Sequence, residues 1–189
     1  VVVGADPVEL LLARDVLEPE VRVGGGVAHD FISTRHYAAE VQLTPADAQM
    51  YWLSDRMPND QFLLFCFATG AGVDEVREAV RRRTDVMGKL LCRVRDVPRH
   101  LDYPYWCPRT FGDDLVAEHR LDDPSWENVQ DALGDLVATV LDARVSPWRL
   151  HVFTGVRGAP LCDDAALVVV WQVSHAFADG RGATALARA

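Results

Sequence analysis

Much that would assign a function quickly is missing from this chain. No apolar run approaches the roughly 20 residues needed to cross a bilayer, so no spanning helix is expected. The opening Val1-Val-Val-Gly-Ala-Asp6 has no charged stretch followed by an apolar core, and a signal peptide is not expected there. Cys66, Cys92, Cys107 and Cys162 stand apart with no CxxC spacing, which removes the usual zinc and disulfide frameworks. Cys66 and Cys92 sit in apolar segments and read as small buried residues of a reducing, cytoplasmic compartment. Gly24-Gly25-Gly26 lacks both GxGxxG spacing and a Walker lysine, so it reads as a flexible connection and not as a phosphate loop. No G-x-S-x-G stretch occurs, so a serine nucleophile on a strand-to-helix elbow is not expected. Positive charge is scarce as well. The net charge of −9 argues against a nucleic-acid partner and provides no attraction to anionic lipid.

What is present suits one globular domain. A length of 189 residues, 49% of them apolar and 25% charged, supports a single substantial core. Pro7 to Leu17 has the spacing of a short amphipathic helix. Thr44-Pro45-Ala46-Asp47 is a helix start: a capping hydroxyl, a proline at the first helical position and an acid near the positive end of the helix dipole. That helix is expected to reach about Asp55. Gln61 to Thr69, dense in aromatics, reads as a central strand buried on both faces. Val73 to Arg83 reads as an amphipathic helix with Val73, Val76, Ala79 and Val80 inward and Arg77, Arg81, Arg82 and Arg83 outward. The arginines could meet a phosphate or simply form a solvated face suited to a helix C-terminus. Tyr103 to Arg109 and Leu115 to Leu121 are candidate short strands. Asp123-Pro124 is expected to open the longest helix, to about Ala143, with Trp126, Val129, Leu133, Leu136, Val137, Val140 and Leu141 inward. Trp148 to Thr154 and Ala165 to Val173 read as two strands joined as a hairpin, and Gly182 to Ala189 as the start of a further helix. Interspersed helices and strands place the fold in the α/β or α+β class, with a mixed sheet flanked by helices.

The segment richest in chemistry is His175-Ala176-Phe177-Ala178-Asp179-Gly180, which directly follows the apolar run ending at Val173. A buried strand therefore delivers a histidine to a turn. Neutral imidazole accepts a proton from a hydroxyl near neutral pH. Asp179 is close enough to pair with it or with an arginine that fixes the loop, and Gly180 leaves room beside the backbone. Three readings of His175 remain open on these residues alone: a hydrogen-bonded structural histidine, a general base, or a metal ligand sharing a helical face with Asp179.

Set in the chain, this segment resembles the HxxxDG motif of the CoA-dependent acyltransferase superfamily, which includes chloramphenicol acetyltransferase and peptide-synthetase condensation domains. Further stretches resemble one branch, the wax ester synthase/diacylglycerol acyltransferase family. Leu43-Thr-Pro-Ala-Asp47-Ala is similar to its opening helix. Val97-Pro-Arg99, Tyr105-Trp106 and Asp113 to His119 are similar to its V-P, P-x-W and F-D…H-V stretches. Ser146-Pro147-Trp148-Arg-Leu-His-Val152 is similar to its P-L-W strand. These pieces are collinear from about residue 43 to 189. One departure stands at the motif itself: the family usually has two adjacent histidines, and the first is Ser174 here.

The resemblance implies a chloramphenicol-acetyltransferase-like half-domain over residues 43–189, preceded by an extension over 1–42. It implies that His175 is a general base, that Asp179 holds the loop, through a partner such as Arg149, and that Ser174 and Gly180 adjoin the substrate. No bound cofactor is implied, since acyl-CoA serves as co-substrate and the acceptor is the hydroxyl of diacylglycerol or a long-chain alcohol. Members of the family have two similar halves around one tunnel, so a C-terminal half, on a second chain or a cleaved remainder, is an expected partner. The lipid acceptor allows peripheral contact with the inner membrane face or lipid bodies. Two alternatives stay in view: a condensation-type enzyme fed by a carrier protein, and a non-catalytic lipid-binding relative.

Overall fold

The computed structural model of the chain describes residues 2, 3, 40–68 and 70–178. The expected helices at 7–17 and 182–189, the glycine triplet, Asp179 and Gly180 lie outside the described residues. Among the described residues there are two sheets and three helices.

The larger sheet has strand order β1-β3-β8-β7-β6. Its strands are β1 (Val2–Val3), β3 (Gln61–Phe67), β6 (Val116–Glu118), β7 (Trp148–Val156) and β8 (Ala166–Val173). It is mixed, as expected: β1 runs parallel to β3 and β6 parallel to β7, while β8 lies antiparallel between β3 and β7. All eight residues of β8 are buried. A strand covered on both faces has no solvent side on which polar residues alternate, which explains its unbroken apolar run. On one face Leu167, Val169, Trp171 and Val173 pack with Val76 and Val80 of helix α2 (Val73–Val86). On the other, Val168 and Val170 pack with Val129 of helix α3 (Trp126–Val137). Between Phe153 and Val156 the register of β7 against β8 slips, and Gly155 takes φ 67° there, a value that strains other residues.

A second sheet, not anticipated from the sequence, pairs β2 (Val41–Gln42), β5 (Tyr105–Pro108) and β4 (Cys92–Arg95) antiparallel in the order β2-β5-β4. Helix α1 (Pro45–Ser54) packs on it through Ala48 and Tyr51, against Cys92, Val94 and Trp106. The expected cap is in place, with the Thr44 hydroxyl accepting from the Asp47 N–H at 3.2 Å. All four cysteines are buried free thiols.

The arginine face of α2 is paired along its own helix and to the neighbouring turn. Arg77 meets Asp74 and Asp113, and Arg81 and Arg82 share Glu78. Helix α3 stops well before Ala143, and Val137 and Val140 are exposed instead of inward. The cause is a competing acceptor. The Leu141 N–H donates to the Asp60 carboxylate at 2.8 Å, which pulls the chain out of its spiral after the Ala138 cap.

That aspartate ends a chain of buried and half-buried polar groups on the α3 face of the sheet. Gln172 Nε2 donates to Asp60 Oδ2 at 2.7 Å, so Gln172 Oε1 is the end left to accept from His151 Nε2 at 2.9 Å. With its proton on Nε2, neutral His151 presents an unprotonated Nδ1, and His119 Nε2–H donates to it at 2.9 Å. Every proton in the chain therefore points toward Asp60. Burial pushes the His151 pKa from 6.5 down to about 4, with the charges of His119 and Arg149 adding to the shift and the Gln172 hydrogen bond opposing it. Burial, then Arg149, also lowers His119. Burial raises Asp60, against the opposing Leu141 and Gln172 hydrogen bonds.

Two measurements test this core. Leu167 is fully buried, so Leu167→Ala should cost about 2–5 kcal/mol in urea unfolding. Leu101→Ala, at an exposed position, should stay within about 0.5 kcal/mol. The second test uses pH. Unfolded His151 takes its proton near 6.5 and folded His151 only near 4. Between those values the unfolded state binds the proton and the folded state does not. The stabilisation is thus fully present above about pH 6.5 and is lost by about pH 4, on the order of 3 kcal/mol. His151→Gln, which cannot titrate, should flatten the fall in urea midpoint across that window; an unchanged slope would refute the assignment.

Candidate active site

Strand β8 ends at Val173, and the chain turns at once. The Ser174 N–H donates to the Pro147 carbonyl at 2.8 Å, and the Ser174 carbonyl accepts from Phe177 at 2.9 Å and Ala178 at 3.4 Å. His175 therefore occupies the first central position of a tight turn. Ser174, Ala176 and Ala178 around it are buried, while His175 itself is half-buried. The backbone is anchored and the imidazole is the part that reaches outward. No hydrogen bond joins that imidazole to another described residue.

Contacts from both sheets fix the turn. Phe177 packs edge-on to Trp106 of β5, with ring centroids 5.7 Å apart. Ala176 belongs to the cluster beneath α1, and Ala178 to the cluster beneath α2. From β3, Gln61 Nε2 donates to the Ala178 carbonyl at 2.7 Å. The histidine thus sits where the two sheets meet, just beyond the end of β8 and beside β5.

Of the residues expected at the site, His175 and Ser174 are brought together on this turn, and Asp179 and Gly180 lie outside the described residues. Arg149, expected near Asp179, donates through Nε to the Asp114 carbonyl at 3.0 Å. Among the described residues no three His, Cys, Asp or Glu side chains gather closely enough to hold a metal ion. Sequence reasoning missed Asp60 and Gln61, which touch the strand end and the turn. Their signal was faint: both stand at the start of β3, where a turn and a strand boundary account for polar residues on their own.

A cleft of about 500 Å³ lies elsewhere, lined by residues including Gly72, Asp74, Glu118, Arg120, Thr154 and Ala165. Ala165 precedes β8 and His175 follows it, so the two places are roughly 30 Å apart along the strand. The Gly72 N–H at the start of α2 is already capped by the Glu75 carboxylate at 2.9 Å. With acids at its mouth and no histidine, that cleft does not offer the chemistry of the turn.

Curated proteins gave no match. The wax ester synthase/diacylglycerol acyltransferase from Marinobacter aquaeolei VT8 is similar in structure, with a TM-score of 0.56 and 21% identity over 77% of this chain and 37% of that one. The starter condensation domain of rhizomide synthetase gives 0.53 and 18% over 79% and 36%. The trichothecene 15-O-acetyltransferase from Fusarium sporotrichioides gives 0.53 and 13% over 78% and 33%. The chain thus spans little more than a third of these structures, and at such identities the likeness establishes the fold, that of chloramphenicol-acetyltransferase-like acyltransferases and condensation domains. Residues 43–189 match the wax ester synthase/diacylglycerol acyltransferase catalytic domain, and the chain belongs to that family.

Proposed function

We propose that this chain forms one side of an O-acyltransferase active site in which His175 is the general base. The observation that carries the reading is the turn itself, which anchors Ser174, Ala176 and Ala178 while leaving the His175 imidazole without a hydrogen-bond partner among the described residues. A base held this way is ready to accept a proton from a substrate. The acceptor hydroxyl gives its proton to the imidazole while its oxygen attacks the thioester carbonyl of acyl-CoA. The tetrahedral adduct then collapses, the C–S bond breaks, and the departing thiolate recovers the proton as free CoA. The products are an ester and a thiol, with no covalent enzyme intermediate.

Family membership favours diacylglycerol or a long-chain alcohol as acceptor. Asp179 would hold the loop, and Ser174 and Gly180 would adjoin the reacting groups. Residues 43–189 then act as an N-terminal half-domain, and a C-terminal half on a second chain or a remainder supplies the other wall. The coverage of little more than a third of the similar structures supports this division. Among the described residues no helix is long and apolar enough to cross a membrane, and the proposed contact with a lipid acceptor is peripheral. A second reading has specific support. Likeness to the condensation domain of rhizomide synthetase favours a carrier-protein thioester as donor, with the same base.

Thiol release from acyl-CoA in the presence of diacylglycerol or hexadecanol, by the chain together with its C-terminal half, tests the proposal. His175→Ala should lose about 10²- to 10⁴-fold in turnover with an unchanged circular dichroism spectrum. Near-full turnover in that variant refutes the general base. Transfer from an acyl-carrier protein but not from acyl-CoA selects the condensation reading. Lipid binding without thiol release from either donor identifies a binding protein.

A further inference from the structure

We infer that Asp60 and Gln61 are positioning residues for His175, acting as a two-point clamp on the strand end and turn that carry it. The inference rests on the general-base reading above. Two adjacent residues at the start of β3 grip the chain on either side of the histidine. Asp60 Oδ2 accepts from Gln172 Nε2 at 2.7 Å, three residues before His175. Gln61 Nε2 donates to the Ala178 carbonyl at 2.7 Å, three residues after it. Gln61 also stands opposite Val173 in the sheet register, so the backbone between the two grips is fixed at its base.

The clamp is itself held. Gln172 cannot rotate freely, because His151 engages its other end at 2.9 Å. Asp60 also accepts from Leu141, and the neighbouring Asn59 donates through Nδ2 to the Met50 carbonyl of α1 at 2.9 Å. The path from α1 through Asn59, Asp60 and Gln61 to the turn is thus continuous in hydrogen bonds and covalent bonds. Neither residue contacts the imidazole. Their effect is on where it stands, and a displacement of about 1 Å in a catalytic group can cost about 10²-fold in rate.

The two grips differ in what their loss would do. Asp60 accepts from both the buried Gln172 amide and the Leu141 N–H, so Asp60→Ala puts folding at risk. Gln61 is half-buried and makes one side-chain hydrogen bond among the described residues, which makes it the cleaner probe. Gln61→Glu keeps size and loses the donor toward the Ala178 carbonyl; Gln61→Lys restores a donor.

The test uses the chain with its C-terminal half. Steady-state kinetics of Gln61→Glu and Gln61→Lys are read beside the unmodified protein and His175→Ala, together with the nitrogen-15 resonances of the His175 imidazole. The expected result is a fall of about 10- to 100-fold in kcat for Gln61→Glu, with KM for donor and acceptor within about twofold. Gln61→Lys should recover most of the loss, and the imidazole resonances should shift or broaden in Gln61→Glu alone. A merely structural role would lower the unfolding midpoint without splitting kcat from KM and without rescue by a donor. A kcat within twofold in Gln61→Glu, no recovery in Gln61→Lys, or unchanged imidazole resonances in Gln61→Glu overturns the clamp. If His175→Ala stays active, the general-base reading fails instead. If the unmodified protein shows no transfer, the imidazole resonances alone decide the clamp.

Discussion

A strand buried on both faces should be apolar throughout, and β8 obeys that demand at seven of its eight positions; the exception is Gln172. A buried primary amide carries two donors and an acceptor, and leaving one unmet costs about 1–3 kcal/mol. The fold meets the demand with Asp60 from the start of β3, His151 from β7 and the weakly placed Thr139 hydroxyl beyond α3. Each partner needs support in turn. His151 is steadied by His119 just after β6, and Asp60 draws in the Leu141 N–H and so ends helix α3. One polar residue in an apolar strand thus fixes the registry of elements across most of the larger sheet. Buried polar chains of this kind specify a single arrangement, because any alternative packing strands their donors and acceptors.

The same residue links the core to the chemistry. Gln172 is the last polar anchor before the chain leaves the sheet at Val173 and turns through His175. The core can therefore be rigid to within three residues of the imidazole, while the imidazole itself has no hydrogen-bond partner among the described residues. A general base has these two requirements, a fixed backbone and an unengaged nitrogen, and they conflict if a hydrogen bond to the ring is used to fix it. Here the flanking residues do the fixing. The backbone bonds of Ser174 to Pro147 and Phe177, and the Gln61 amide on Ala178, hold the turn without using the ring.

What the sequence made legible divides along physical lines. Elements written in a single stretch were clear: the Thr44-Pro45 cap of α1, the apolar stripe of α2, the aromatic run of β3 and the continuous run of β8. The histidine turn was legible for the same reason, since a strand end followed by His175 is a local pattern. The short strand β4 was missed although Cys92-Arg93-Val94-Arg95 alternates buried and exposed. Four residues are too few for a period of two to stand out, and its partner β5 is contributed by a later stretch. Val137, the last residue of α3, and Val140 just beyond it kept helical spacing but face solvent, because the acceptor that draws the chain away after the helix is Asp60, about 80 residues earlier. The Gln172–Asp60 bond joins residues 112 apart. Nothing local in a lone Asp after Pro58-Asn59 marks it as the partner of a glutamine on another strand.

The position of the turn between the sheets also bears on how the site was assembled. Ala176 and Phe177 face the cluster of α1 and the smaller sheet, while Ala178 faces the cluster under α2. Neither sheet alone encloses the histidine. The smaller sheet contributes Trp106 as a wall against Phe177, and the larger sheet contributes the strand that delivers His175. Moving one sheet relative to the other would disturb the imidazole, since the turn is bonded to the larger sheet and packed against the smaller. Placement of the imidazole is therefore a property of the packing between sheets, set by residues from Ala48 to Ala178. It follows that the opening helix, far from the histidine in sequence, is part of the apparatus that aims it, and that its resemblance to the family's opening motif and the resemblance of the histidine motif describe two ends of one physical constraint.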